Sequence, residues 1–227
     1  MQRLSPFGIC LLLCLAVSAV AVYFYCADPE RFPVKTIRIT ASLNNLPAEE
    51  IQNLLENQIN ANYFFCRPKQ MERVLRQHRW VEQATVLRVW PDSLKIMIIE
   101  KLPIAWWNEK LITAQAELIQ PLSAEKYSLP HLTGPNNQKG EVLQIYQNVS
   151  KILSEYGLSI DSLILRNNQA LDLVLTNGIQ LNLGKQAIET RITRFCRAYS
   201  TVFAEKKAQL ARVDLRYPRG MAVQWSK

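Results

Sequence analysis

Histidine is nearly missing from this chain of 227 residues: His78 and His131 are the only two. A metal site usually gathers His and Cys at short spacing, and neither histidine has a second ligand near it in sequence, so no metal ligand is expected. His78 falls on the inner face of an expected helix and reads as a packed or capping residue; His131 reads as a turn residue. Glycine is also scarce, at seven residues, and none belongs to a G-x-S-x-G, P-loop or G-x-G-x-x-G array. That removes the nucleophile elbow and the phosphate cradles. The paired carboxylates Glu49 and Glu50 sit at an expected helix start, where the helix dipole accounts for them. No catalytic residue and no cofactor site is expected, and the chain is not expected to be an enzyme. Asn148-Val149-Ser150 matches a glycosylation sequon but lies within an expected helix.

The N-terminus is rich in what the rest lacks. Phe7 to Ala27 is an apolar run without a charge. At 1.5 Å per residue, ~20 such residues cross the ~30 Å hydrocarbon core of a bilayer. A cleaved signal peptide is the competing reading, and Ala19-Val20-Ala21 resembles a cleavage site. However, the run continues through Tyr23, Phe24 and Tyr25, beyond a usual h-region of ~7–15 residues. Tyr23 and Tyr25 lie where interfacial aromatics anchor a retained helix. Arg3 precedes the run and Asp28 and Glu30 follow it, so the N-terminus is expected in the cytoplasm and the bulk of the chain on the other side. Cys10, Cys14 and Cys26 read as apolar filler; Cys66 and Cys196 are too few for a disulfide framework and read as free buried thiols. The net charge of +8 is dispersed, without a run of five. Beyond a membrane it is expected to be a solvated basic surface beside anionic headgroups, and no nucleic acid is expected as a partner.

After the linker Asp28–Pro33, Val34–Thr40 alternates as a half-buried strand. Asn45 is a candidate N-cap and Pro47 a first-turn residue for a helix carrying Ile51, Leu54, Leu55 and Ile59. A second helix starts near Pro68, with Met71, Val74 and Leu75 on one face. Strands at Val81–Val89 and Leu94–Glu100 flank the turn Trp90-Pro91-Asp92-Ser93, in which Trp90 is expected to be half-buried. Two helices on one face of a three-stranded sheet make a complete α+β domain. Beyond Pro103, short strands are expected at Ala105–Asn108, Leu111–Ala114 and Glu117–Ile119, then a helix at Lys139–Tyr156 ended by Gly157. Strands at Ile160–Arg166, Leu171–Leu175 and Ile179–Leu183 follow, the last two joined by Asn177-Gly178. A helix over Ala187–Lys207 has the stripe Ile188, Ile192, Phe195, Tyr199 and Val202, while Arg191, Arg194 and Arg197 read as a solvated basic arc. Strands at Val213–Tyr217 and Met221–Trp225 close the chain.

This strand-helix-helix-strand-strand order comes directly after the span, and its phrase Trp90-Pro91-Asp92-Ser93-Leu94-Lys95-Ile96 leads to Glu100-Lys101-Leu102-Pro103-Ile104-Ala105-Trp106-Trp107-Asn108. They resemble the FtsQ/DivIB cell-division family, in which the small domain is a POTRA domain. Leu181-Asn182-Leu183-Gly184 and Val213–Tyr217, with Gly220, Ala222, Val223 and Trp225, resemble its proteobacterial FtsQ form. The resemblance implies an α+β fold: a single N-terminal transmembrane helix, a POTRA domain, then a C-terminal mixed β-sheet domain with flanking helices. The expected bounds are a cytoplasmic tail at 1–6, the span at 7–27, POTRA at 28–101 and the β domain at 102–227. The tail is very short, which leaves little chain for contacts the family makes through it.

The resemblance further implies a non-catalytic scaffold of the divisome in the inner membrane at the septum. It would bind FtsB and FtsL and help control septal peptidoglycan synthesis, with other division proteins reached through the POTRA domain. Arg216, Tyr217, Gly220, Ala222 and Trp225 are the implied partner-binding residues, on a last strand expected at a sheet edge. Near Asn167 and Asn168 the basic pair of some relatives is missing. Two other readings are a POTRA-bearing adaptor for secretion or outer-membrane assembly, and an extracytoplasmic cell-wall hydrolase.

Overall fold

The computed structural model describes residues 6–28, 30–40, 45–59, 62–122, 126–203, 205 and 209–226; side chains are described from Leu12 onward and not at 57–59. Two compact units emerge, Met1–Lys101 and Leu102–Lys227.

The first unit begins with α1 (Pro6–Ala27), a 22-residue helix. Leu12, Leu13, Leu15, Val17 and Val20 are each more than half exposed. The described side chains of α1 begin at Leu12, and among the described residues no helix is long and apolar enough to cross a membrane; the α1 backbone is helical over all 22 residues. Then come β1 (Thr36–Thr40), α2 (Ala48–Ile59), α3 (Pro68–Arg76), β2 (Val81–Val89) and β3 (Ser93–Glu100). The sheet order is β1-β3-β2, with β1 parallel and β2 antiparallel to β3. Parallel neighbours need a crossover, which the two helices supply. Ile51 and Leu55 of α2 and Met71 and Leu75 of α3 are buried in one cluster with Ala84, Val86, Leu94 and Ile96. Each large apolar side chain so buried stabilises the fold by roughly 1.5–3 kcal/mol.

Three expectations in this unit are corrected. The N-cap position of α2, which begins at Ala48, falls on Pro47 and not on Asn45, whose backbone and side-chain N–H groups donate to Glu100, which also accepts from the Leu46 N–H. The helix starts instead on Pro47, whose carbonyl accepts from Ile51. Trp90 is 79% exposed, because it follows β2 in the turn at the hairpin tip, beyond the end of the strand. The expected helix face with Val74 is tilted: the buried positions are Met71, Glu72 and Leu75. Glu72 accepts a hydrogen bond from the Val86 N–H at 3.0 Å, while Arg76 donates to the Ala84 carbonyl. Side chains of α3 thereby occupy part of the β2 edge, which among the described residues has β3 alone beside it in the sheet.

The second unit contains β4 (Pro103–Trp107), β5 (Lys110–Thr113), β6 (Leu118–Ile119), β7 (His131–Thr133), α4 (Lys139–Ser154), β8 (Ile160–Leu165), β9 (Leu171–Leu175), β10 (Gln180–Gly184), α5 (Ile188–Ser200), β11 (Leu210–Asp214) and β12 (Ala222–Trp225). Its nine strands form one mixed sheet in the order β12-β11-β10-β9-β8-β7-β4-β5-β6. Val142, Val149 and Leu153 of α4 and Ile192 and Phe195 of α5 share a core with Leu163, Leu173, Leu181 and Val213. Alternation then sends the intervening residues of those strands to the opposite face. His131 opens a strand rather than a turn, and its ring stacks on Trp106, 5.8 Å apart. Gly157 ends α4 at φ +68°, the left-handed stop its position called for.

The helix expected to reach Lys207 ends at Ser200; residues 204 and 206–208 lie outside the described set. The Phe203 N–H reaches back to the Ala198 carbonyl, which rotates the chain past helical register. Phe203 therefore completes the buried stripe, while Val202 is 77% exposed. The next strand starts earlier than expected, at Leu210, and leaves residues 215–217 in the connection to β12.

Candidate partner-binding edge

Strand β12 terminates the nine-stranded order, so one side of its backbone has no strand beside it among the described residues. It pairs antiparallel with β11, placing Val213 opposite Val223 and Asp214 opposite Ala222. Met221 and Val223 pack against the core, while Ala222 and Gln224 help line the polar face. Trp225 is 41% exposed and its ring meets Phe203 edge-on at 5.8 Å. It therefore both closes the core and remains accessible. Tyr217 is 54% exposed and borders a shallow hollow of about 540 Å³ shared with Pro218, Arg219, Gly220, Met221 and Ala222. A Cβ added at Gly220 would meet nothing within 4 Å, so packing within the chain does not require glycine there.

Arg216 is already engaged. Its guanidinium holds Asp214 in a fork, Nε to Oδ1 at 2.9 Å and Nη2 to Oδ2 at 2.6 Å. The Asp214 carboxylate also accepts from the Arg216 backbone N–H at 3.0 Å, which turns the chain out of β11. These hydrogen bonds from Arg216 hold the Asp214 carboxyl below its usual range, and Asp214 in turn raises the guanidinium pKa. The side chain remains exposed, so a second carboxylate has access to its outer face.

The sheet's open face continues this polarity. Arg166 pairs with Asp172, Asn182 donates to Asp172 at 2.6 Å, and Arg212 donates to Asn182 at 2.7 Å. The ladder runs from the end of β8 across β9 and β10 to β11. Arg166, next to Asn167, is thus a basic residue held by its own carboxylate. None of Asp172, Asn182 or Arg212 was singled out as a site residue from sequence, although the strand alternation puts all three on the open face.

The arginine arc of α5 is where expectation and structure differ most. Arg194 donates from Nη1 to the Pro218 carbonyl at 2.7 Å and from Nη2 to those of Leu215 and Tyr217 at 3.1 and 2.9 Å. Arg191 donates to the Leu183 and Arg216 carbonyls. These two residues are not a solvated face; they hold the connection that carries Arg216 and Tyr217. Buried backbone carbonyls need donors, and a guanidinium supplies several in a fixed fork. Only Arg197 of the three is exposed. Gly184, at φ +74°, makes this possible: a Cβ there would lie 2.8 Å from Arg191 Nη1 and 3.1 Å from Arg216 Cγ. Among the described residues no group of three or more His, Cys, Asp or Glu gathers as a metal would require.

Residues 105–216 match the family described as cell division protein FtsQ/DivIB, C-terminal, and residues 32–101 match the POTRA domain, FtsQ-type. The cell division protein FtsQ of Alcanivorax borkumensis is 32% identical over 216 residues, covering 92% of this chain and 82% of the relative. The chain belongs to the FtsQ/DivIB family of cell-division proteins. The FtsQ of Coxiella burnetii is 29% identical over 226 residues, 99% of this chain and 92% of that protein. That of Shewanella oneidensis is 32% identical over 200 residues, 87% and 76% respectively.

The family phrases now have structural causes. Glu100 ties the end of β3 to the start of α2 through Asn45 and Leu46. In Leu181-Asn182-Leu183-Gly184 the leucines are core, Asn182 is a rung of the ladder and Gly184 gives room to two arginines.

Proposed function

We propose that the chain is a non-catalytic bitopic scaffold of the divisome, linking early and late division proteins and helping control septal peptidoglycan synthesis by binding FtsB and FtsL. In this reading residues 1–6 are cytoplasmic, residues 7–27 cross the inner membrane, residues 28–101 form the POTRA domain, and residues 102–227 form the periplasmic β domain. The span is supported by the 22 helical residues of α1 and by its exposed apolar side chains. A helix apolar on all sides needs apolar surroundings.

The observation that carries the binding site is the open edge of β12 beside exposed Tyr217 and Arg216. An edge strand accepts a further strand by main-chain pairing, and flanking side chains select it. Arg216, Tyr217, Gly220, Ala222 and Trp225 are assigned to this surface. The POTRA domain is assigned to localisation and earlier partners. There β1 is the edge on offer, because α3 side chains already occupy Ala84 and Val86 of β2.

The test uses full-length protein in detergent and the extracytoplasmic part of FtsB. Tyr217→Ala should weaken binding by about 30-fold, the equivalent of ~2 kcal/mol for an interface anchor, with an unchanged melting temperature. Trp225→Ala should lower both affinity and melting temperature, because Trp225 also packs on Phe203. Unsubstituted affinity in both Tyr217→Ala and Arg216→Glu would reject the assignment.

A further inference from the structure

The small domain carries aromatic surface that its own fold does not use. Phe64 and Phe65 are each 42% exposed, in the turn between α2 and α3. Asn62, buried at 5%, builds that turn: its Oδ1 accepts from the Phe64 N–H at 2.8 Å and its carbonyl accepts from Phe65 and Cys66. The Asn62 Nδ2 donates to the carbonyls of Cys26 and Asp28 at 2.7 and 2.8 Å. One side chain thus satisfies backbone acceptors at the end of α1 and fixes the turn to them. Rings extend the join. Phe65 meets Tyr23 edge-on at 5.4 Å, Phe64 meets Phe32 at 5.1 Å, and Phe32 meets Tyr25 at 5.9 Å. Tyr23 lies four residues before the end of α1, about 6 Å back along the helix axis. Phe65 therefore shares the depth of the last helical turn instead of standing clear of it.

The tip of the β2–β3 hairpin is at the same end of the domain. Thr36, the first residue of β1, pairs with Ser93, the first of β3, and the Lys35 N–H donates to the Asp92 carbonyl at 2.9 Å. The Arg88 guanidinium lies on the Cys66 carbonyl, immediately after Phe65. That end carries the exposed Trp90. Exposed Arg67 adds positive charge beside the aromatics, while Arg31, over the Tyr25 ring at 4.5 Å, pairs with Asp28 at 2.9 Å. Aromatic rings beside a basic side chain suit the boundary between headgroups and acyl chains.

We propose that Phe64, Phe65 and Trp90 form a second membrane contact, seating this end of the small domain in the outer-leaflet interface around α1. The occupant is the phospholipid bilayer, because the aromatic surface is continuous through Tyr23 with the exposed apolar face of α1. The inference rests on the reading that α1 crosses the membrane. Its consequence is a domain held in a fixed pose on the bilayer, not one swinging on a linker.

Full-length protein carrying benzoyl-phenylalanine at position 64, 65, 90 or 99 would be reconstituted into vesicles of phosphatidylethanolamine and phosphatidylglycerol and irradiated. Ile99 is the control: it is 57% exposed and lies six residues along β3 from Ser93, roughly 20 Å away. Lipid adducts are expected at 64, 65 and 90 and not at 99. Adducts at the phenylalanine positions or at 90 no stronger than at 99 would overturn the proposal. An alkaline carbonate wash of the same vesicles separates the two readings. Protein that stays with the vesicles but forms no adducts refutes the second contact alone; protein that washes off refutes the span, and the second contact with it.

Discussion

Replacing Arg194 with methionine should damage partner binding from behind the sheet. The substitution keeps most of the aliphatic stem and removes a guanidinium that donates to three carbonyls, those of Leu215, Tyr217 and Pro218. A hydrogen bond involving a charged group contributes ~1.5–3 kcal/mol where it is buried. These three share one partly exposed group and are not additive, so about 2 kcal/mol in total is the reasonable scale. For a domain of this size that lowers Tm by roughly 6–8 °C. The second effect is larger in consequence: the connection 215–218 loses the clamp that presents Arg216 and Tyr217. Calorimetric melting of the full-length chain in detergent gives the first number, and titration with the extracytoplasmic part of FtsB gives the second. Arg197→Met is the internal control, since Arg197 is exposed on the same helix and should change neither. If Arg194→Met and Arg197→Met behave alike in both assays, the clamp has no energetic role and the reasoning fails.

Trp90→Ala should leave the melting temperature of the detergent-solubilised chain within about 3 °C, because a substitution at an exposed ring costs under ~0.5 kcal/mol. A drop of about 10 °C would mean the ring packs somewhere in the folded chain. Acid sensitivity has a definite sign. Hydrogen bonds from Arg216 hold Asp214 below its ordinary 3.8, and the Val86 N–H holds Glu72 below its ordinary 4.5 against the opposing effect of burial. Both groups therefore contribute stability that is complete above those ordinary values and disappears as pH falls through the lower folded ones. Melting temperature should be flat from neutral pH down to about 5 and fall below about 4, with a shallower fall in Glu72→Gln and Asp214→Asn. Equal acid slopes in all three proteins would refute the linkage.

Local chemistry made most elements legible. Alternation at Val34–Thr40, Pro68 at the start of α3, the Asn177-Gly178 turn and Gly157 after α4 each act within a few residues, and each is found where its chemistry puts it. What escaped the sequence was decided at a distance. Val202 and Phe203 fit the α5 stripe comparably by spacing, and only the turn closed by Ala198 selects Phe203. Asn45 has the composition of a cap, yet Glu100, 55 residues away, claims it. Arg191 and Arg194 look like a solvated face because nothing in a helix wheel reveals that backbone carbonyls from 215–218 lie within reach. For the candidate site, the edge position of β12 is given by the strand order of the sheet. The Asp214–Arg216 fork depends on the turn that follows β11, where the Arg216 backbone N–H bonds the same carboxylate, and sequence spacing does not reveal that turn.

The short length of β12 sets how the edge can work. Four residues, Ala222–Trp225, offer an added strand about four outward hydrogen bonds, worth ~1 kcal/mol each net. Ordering four residues of an incoming extended segment costs ~1–2 kcal/mol per residue, which offsets that gain. Main-chain pairing alone would then leave binding near neutral before any cost of association, whereas a micromolar complex requires about 8 kcal/mol. The difference has to come from side chains at the rim, and these are Tyr217 with its hollow, Arg216 with its exposed outer face, and Trp225. The same arithmetic explains how an open edge is tolerated. Pro218 and Arg219 before the strand limit extension of the pairing in that direction. In the proposed reading, selectivity at this edge resides in the connection that α5 clamps, and the clamp belongs to the binding surface with the residues it presents.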